Sequence, residues 1–273
     1  MYNMFLDQWF GRFGNNLKQL SNALYVAEKT KSTLRFKEHP IVANRVFDFS
    51  TGEQSLVDYP STFWKDQVFG ILATEEEVEE NRSYILKKYV LPLLPYTPQE
   101  LGYDIVVHFR GGDIWNRPSH TSYVQCPLSY YEKIFKREMP TRILLVCEDN
   151  RNPMIEVLLK HPDWDCEYQS STIERDINTL LNARVLVKGG ISTFSDTLAL
   201  SSPHLRTLYT PAFEYTSNLQ PYERLVKDYY IMEADVVEAK IVDFIKIGEW
   251  DAAPEQIRLM FDHSHKSVAL RKV

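Results

Sequence analysis

The chain has 273 residues, 44% of them hydrophobic, with 31 lysines and arginines against 37 aspartates and glutamates for a formal charge of −6. That length and apolar content suffice for one large domain or two of ordinary size and argue against a disordered chain. An acidic balance without a long Lys/Arg run argues against nucleic acid as the main partner, so any phosphate ligand must be met by local groups.

The opening residues Met1–Asp7 lack the basic segment and long apolar stretch of a secretory signal, and no apolar run reaches membrane-spanning length. Cys126, Cys147 and Cys166 are odd in number and carry no Cys-x-x-Cys spacing, which reads as free thiols in a reducing compartment. The expectation is a soluble, cytosolic protein with no integral membrane segment and no nucleic-acid partner. Gly11-Arg12-Phe13-Gly14-Asn15 then forms a glycine loop, with Asn15 as the expected cap of a helix carrying Leu17, Leu20, Leu24 and Ala27. The loop lacks both the third glycine of a dinucleotide fingerprint and the Gly-Lys-Ser/Thr of a P-loop. Thr33–Phe36 follows as a short strand.

Five glutamates between Glu75 and Glu80 lead into Tyr84–Val90, acid before base, as a solvated helix face prefers. Pro92, Pro95 and Pro98 make the stretch from Leu91 to Gly102 the expected linker. Beyond it, three apolar runs, Ile105–Phe109, Ile143–Cys147 and Val185–Val187, alternate with helices predicted at Pro127–Arg137, Pro153–Lys160, Ile173–Asn182 and Phe194–Leu200. Strands and helices in that order imply a parallel sheet. Tyr222–Lys246 reads as one or two further helices and Pro254–Phe261 as another, while Val268–Val273 carries no clear signal. The expected division is residues 1–98, 99–215 and 216–273, the last being helices that pack on, or cross back to, the first part.

The densest chemistry lies in His108-Phe109-Arg110-Gly111-Gly112-Asp113. His108 and Arg110 share one face of a strand, at the end where open α/β sheets bind ligands. A guanidinium there matches a diphosphate, and the two glycines permit close backbone approach. Gly189-Gly190-Ile191-Ser192-Thr193-Phe194 repeats the pattern: strand, glycine pair, then hydroxyls at a helix start that either cradle phosphate or only cap the helix. Glu148 and Asp149 follow the second strand of this half, and Asp176 stands in a helix start where a carboxylate can meet a base or ribose. Asp163-Trp164-Asp165 has a metal-holding form but reads better as a solvated turn. The histidines lack ligand spacing, so no metal site is expected. Gly-x-Ser-x-Gly is absent, which disfavours a serine hydrolase.

Taken together and in this order, three segments resemble the fucosyltransferase superfamily of α1,2-, α1,6- and protein O-fucosyltransferases. Gly11-Arg12-Phe13-Gly14-Asn15 resembles its N-terminal Gly-x-x-Gly-Asn loop, His108–Asp113 its His-x-Arg-Arg-Gly-Asp motif, and Ser192-Thr193-Phe194-Ser195 a Ser-Thr-Phe-Ser segment. Asp176 is similar to an acidic residue upstream of that segment. The resemblance implies an α/β, GT-B-like fold of two Rossmann-like halves facing a central cleft. It also implies an inverting, metal-independent glycosyltransferase moving L-fucose from GDP-fucose to a glycan hydroxyl, with no cofactor. Arg110 would grip the donor diphosphate together with His108, Gly111 and Gly112, and Ser192, Thr193 and Phe194 would add phosphate contacts. Asp176 would meet the nucleoside, and Gly11–Asn15 would face the acceptor with Asn15 at the reaction centre. Asp113, ahead of Glu148 and Asp149, is the favoured base. The chain departs from the pattern at Gly111, where the family has a second arginine, and at Asp196-Thr197, where it has a tryptophan pair. Another donor, such as a UDP-sugar, or a noncatalytic nucleotide- or glycan-binding module, is the alternative.

Overall fold

The structure is a computed structural model that describes residues 2–52, 57–64, 72–216 and 233–273. Its elements form two sheets, one of four strands ordered β3-β2-β1-β4 and one of seven ordered β11-β10-β9-β8-β5-β6-β7. In the first, β1 (Tyr2–Leu6) lies parallel to β2 (Thr33–Phe36) and β4 (Val57–Ser61), and β3 (Phe47–Asp48) closes the edge antiparallel to β2. Helix α1 (Phe13–Lys29) crosses from β1 to β2, and α2 (Glu75–Ile85) follows β4. A Thr74 capping box starts α2, with the side chain of Glu77 returning to the Thr74 N–H, as its acidic first turn prefers. A turn of wider helix at Leu86–Val90 continues it.

The second sheet is built from β5 (Ile105–His108), β6 (Arg142–Val146), β7 (Asp165–Gln169), β8 (Val185–Lys188), β9 (Thr207–Phe213), β10 (Asp235–Ile241) and β11 (Val268–Lys272). All neighbours pair parallel except β10 with β11. The connecting helices are α3 (Leu128–Glu138), α4 (Pro153–Lys160), α5 (Ile173–Asn182) and α6 (Thr193–Ser201), with α7 (Pro254–Asp262) before the last strand. The expected α/β class with two sheet-and-helix halves is met.

One expectation fails at the C-terminal end. Of the helix expected over Tyr222–Lys246, residues 222–232 lie outside the described residues, and Asp235–Ile241 is a strand. Val236, Val237, Ala239 and Ile241 are buried there between β9 and β11, a tertiary cover that local spacing cannot reveal. Val268–Lys272, where the sequence carries no clear signal, is also a strand, and both segments extend the second sheet. The linker also proves stapled. Thr97 and Gln99 donate backbone N–H groups to Asn178 and Asn182 of α5 at 2.7 and 2.9 Å, and Leu93 and Leu94 are buried.

One hydrophobic core runs from β1 and α1 through Val106, Leu144 and Leu186 on the near face of the large sheet, and a second fills its far face around Tyr130, Phe135 and Trp250. The halves therefore share a core. In the large sheet the chain runs outward from β5 to β7, then returns to place β8 on the other side of β5, which puts a topological switch point between β5 and β8. The crevice outside the carboxyl ends of such a pair is where open α/β sheets take ligands. Among the described residues no helix is long and apolar enough to cross a membrane.

Candidate functional site

Strand β5 is covered by β6 and β8 on its two edges and buried along its length, so its side chains divide cleanly. Ile105, Val107 and Phe109 enter the far core, while Val106 joins the near one. His108 and Arg110 share the face of Val106, as a period of two requires. The chain then turns at Gly112, whose φ of +71° favours glycine and where a Cβ would stand 2.4 Å from Glu148 Oε1. Gly112 N–H donates to Asp149 Oδ2 at 2.9 Å, and Arg151 donates Nε and Nη2 to the same oxygen. Gly111 is also confined: a Cβ there would already lie 3.1 Å from Cys147 Sγ and Glu148 Cγ.

Across the crevice, β1 delivers Gly11–Asn15 to the start of α1. A Cβ on Gly14 would stand 2.5 Å from the Phe194 nitrogen, so only glycine lets the first turn of α1 meet the first turn of α6 this closely. Phe13 and Phe194 pack ring to ring at 5.8 Å beside that contact. Neither helix start is closed by a side chain: Arg12 and Ser192 hold the cap positions without capping bonds. Two helix N-termini with open N–H groups thus converge on one cavity, each carrying the positive end of its dipole. The cavity has a volume of about 570 Å³ and takes lining from Gly11–Asn15, His108–Gly111, Asp113, Glu148, Asp176 and Ser192–Phe194.

Its charges are arranged for an anion. Among the described residues neither Arg110 Nε nor His108 Nδ1, both buried, has a hydrogen-bond partner. Arg110 Nη2 reaches Asp113 only at 3.4 Å. Arg12 comes from the first half to pair with Asp113 at 3.1 Å and with Glu148. All three of these groups are about half exposed, so this bridge is weak and easily exchanged for a ligand's charge. Asp176, in the first turn of α5, accepts from Gln169 Nε2 at 2.7 Å, and burial raises its carboxyl above the ordinary value with that bond only partly opposing.

Burial, reinforced by the charges of Arg110, Lys188 and Arg12, pushes His108 from its ordinary 6.5 down to about 3. Below pH 6.5 the unfolded chain takes up a proton there that the folded one refuses, so this group's contribution to stability falls as pH falls through that window. The slope approaches about 1.4 kcal/mol per pH unit for one proton. In urea unfolding, His108→Gln is expected to flatten the stability profile between about pH 6.5 and 4 relative to the unsubstituted chain, and parallel profiles would overturn the assignment.

The structure therefore gathers nearly every residue singled out in the sequence. Gly112 and Asp149 are the exceptions: they brace the turn from behind and do not line the cavity. Asn15 lines the cavity but lies inside the first turn of α1, so it is not the cap. Ser192 occupies the cap position yet makes no capping bond, which leaves its hydroxyl to the cavity. Asp163 and Asp165 sit at the opposite edge of the sheet, Asp165 opening β7 in register with Arg142. Tyr123, Ser171 and Ile173 also line the cavity. Ser171 and Ile173 follow the carboxyl end of β7 and were legible from that position, whereas Tyr123 stands in a segment without periodicity that offers no signal.

No family model and no curated protein matches the chain. Among solved structures it is similar to POFUT1, a protein O-fucosyltransferase, in complex with GDP, at 14% identity with a TM-score of 0.41, over 74% of this chain and 95% of that one. The complex of POFUT1 with GDP-fucose gives 14% identity and a TM-score of 0.43, over 76% and 97%.

Proposed function

We propose that the chain is an inverting, metal-independent glycosyltransferase of GT-B-like architecture that moves a sugar, L-fucose from GDP-fucose in the first instance, to a glycan hydroxyl. The observation that carries this reading is the cavity in which Arg110, the open N-terminus of α6 and the Gly11–Asn15 loop meet at the switch point. Its volume falls within the roughly 300–1,000 Å³ usual for small-molecule sites. In this reading the diphosphate lies between Arg110 and Ser192–Phe194, the nucleoside lies toward Asp176 and Ser171, and the sugar faces Arg12 and Asn15. As the glycosidic bond breaks, negative charge grows on the departing diphosphate. Donors already aimed at that place stabilise it more than they stabilise the bound substrate. His108, kept neutral, supplies hydrogen bonding without a second charge.

The acceptor hydroxyl loses its proton to Asp113 or Glu148, the two cavity carboxylates that Arg12 bridges. Asp149 is withdrawn from this role by its bonds to Gly112 and Arg151. With Asp113 as the base, Asp113→Asn abolishes the acidic limb of the pH–rate profile. An unchanged profile passes the role to Glu148.

Thermal-shift titration with GDP, UDP and their sugars, in the presence of a chelator, tests the reading, since a ligand that binds only the folded state raises its stability. GDP and GDP-fucose are expected to raise the melting temperature. A shift with UDP-sugars alone moves the chain to another donor, binding without transfer to any glycan makes it a binding module, and no response to any diphosphate overturns the proposal.

A further inference from the structure

Residues 114–126, between the Gly112 turn and α3, carry none of the sequence motifs, yet they place an aromatic ring against the central cation of the cavity. The guanidinium carbon of Arg110 stands 3.5 Å from the centre of the Tyr123 ring. That is stacking distance, at which the ring's negative face attracts the cation and covers one side of it.

Tyr123 is itself held on several sides. Its N–H donates to His120 O at 3.1 Å, its carbonyl accepts from Gln125 Nε2 at 2.9 Å, and the His120 ring lies 4.8 Å away. The next residues are laid along the segment that leads into α6. Ile191 N–H donates to Val124 O at 3.3 Å, Cys126 N–H donates to Gly189 O at 3.0 Å, and Gln125 pairs antiparallel with Gly190. Gly190 permits that approach, because a Cβ there would lie 2.7 Å from Gln125 Nε2 and 2.8 Å from Val124 O. From behind, Trp250 donates its backbone N–H to Thr121 O at 3.2 Å and its indole N–H to Ile114 O at 3.3 Å.

We propose that Tyr123 is a positioning residue for a nucleoside diphosphate: its ring fixes the plane of Arg110, and residues 124–126 hold that ring in register with Gly189–Ile191, so that the guanidinium and the N-terminal end of α6 stand in place before the ligand arrives. The inference rests on the nucleotide reading above. Stacking uses one face of the guanidinium and leaves its N–H edge for phosphate oxygens, and Arg110 Nε is a donor that still lacks an acceptor among the described residues. An arginine immobilised in advance loses less freedom on binding.

The test titrates GDP and, as a base-free probe, inorganic pyrophosphate into the unsubstituted chain, Tyr123→Phe and Tyr123→Leu. A further series replaces Tyr123 with phenylalanines of increasing fluorination, which weakens the ring's negative face at nearly constant shape. Tyr123→Phe is expected to bind both probes within about twofold of the parent, Tyr123→Leu about three- to tenfold more weakly, and the fluorinated series to weaken stepwise. Equal binding by Tyr123→Leu and Tyr123→Phe, or a flat fluorination series, would leave the ring as mere packing and overturn the proposal while the nucleotide reading stands. Failure of the unsubstituted chain to bind either probe overturns both.

Discussion

Arg110→Ala is expected to lower sugar transfer by on the order of 10²-fold or more, and to weaken GDP binding, with little change in melting temperature. The side chain is 11% exposed, stacks on Tyr123 and makes only a long contact with Asp113, so the fold does not depend on it. Its removal takes a fixed cation from the strand end where, in the proposed reaction, the leaving diphosphate gathers charge. Arg12 does not compensate, because its half-exposed guanidinium is divided between Asp113 and Glu148. Arg110→Lys is expected to recover only part of the loss, since an ammonium offers neither a planar face to Tyr123 nor a fork to two phosphate oxygens. Turnover with GDP-fucose, read beside calorimetric titration of GDP, checks both variants. Full turnover by Arg110→Ala would remove Arg110 from the mechanism.

Asp196→Ala carries the largest expected effect on stability. Lys188 ends β8 and Asp196 stands in the first turn of α6, and they form an ion pair at 3% and 9% side-chain exposure. The Lys188 ammonium also reaches Thr210 Oγ1 at 3.3 Å. Removing the carboxylate breaks a buried ion pair, at a cost of about 3–5 kcal/mol. Replacing both partners with apolar side chains, as in Lys188→Met with Asp196→Leu, removes the charge altogether and is expected to restore most of that stability. Urea unfolding of the single and double variants decides the matter, and a loss below about 1 kcal/mol in Asp196→Ala would show that water or a neighbour relieves the charge. The Asp196 carboxylate gives the lysine at the end of β8 a buried counter-charge, and the pair ties β8 to the first turn of α6, which presents Ser192–Phe194.

Position 111 is crowded by Cys147, Glu148 and Asp149, and a second guanidinium enters the cavity from Arg12 on the opposite half.

Much of the site was legible in the sequence because its parts lie at the ends of strongly patterned elements. The runs Ile105–Phe109, Ile143–Cys147 and Val185–Val187 are buried on both faces except at half-buried Val185 and read as continuous apolar stretches, and the helices between them begin and end within a residue or two of their expected bounds. A glycine pair after such a strand marks a turn, so residue order alone could place His108–Asp113 and Gly189–Phe194 at the same edge of a sheet. The order β5, β6, β7 and then β8 could not be read in this way. Which strand neighbours which is set by long-range pairing, and that pairing creates the crevice between β5 and β8.

The misses share a physical cause. Asp235–Ile241 carries apolar residues at spacings open to helix or strand, and only its cover by β9 and β11 selects the strand. Asn15 has the chemistry of a cap, but the positive φ of +69° at Gly11 and the contact of Gly14 with α6 start the helix earlier, at Phe13. Tyr123 lies in a segment with neither periodicity nor motif, and it meets Arg110 only because the chain turns between them. The sequence by itself determined the α/β class, the strands β5, β6 and β8 with the helices α3 to α6, and the residue types of an anion site, because those follow from local periodicity, glycine and charge. Only the tertiary structure decided that three separate segments make one cavity, that Asp149 braces while Asp113 and Glu148 face inward, and that Arg110 is held against Tyr123. Each of those depends on the close approach of segments far apart in the chain, at Gly14, Gly112 and Gly190, and no spacing along the chain encodes which segment will arrive there.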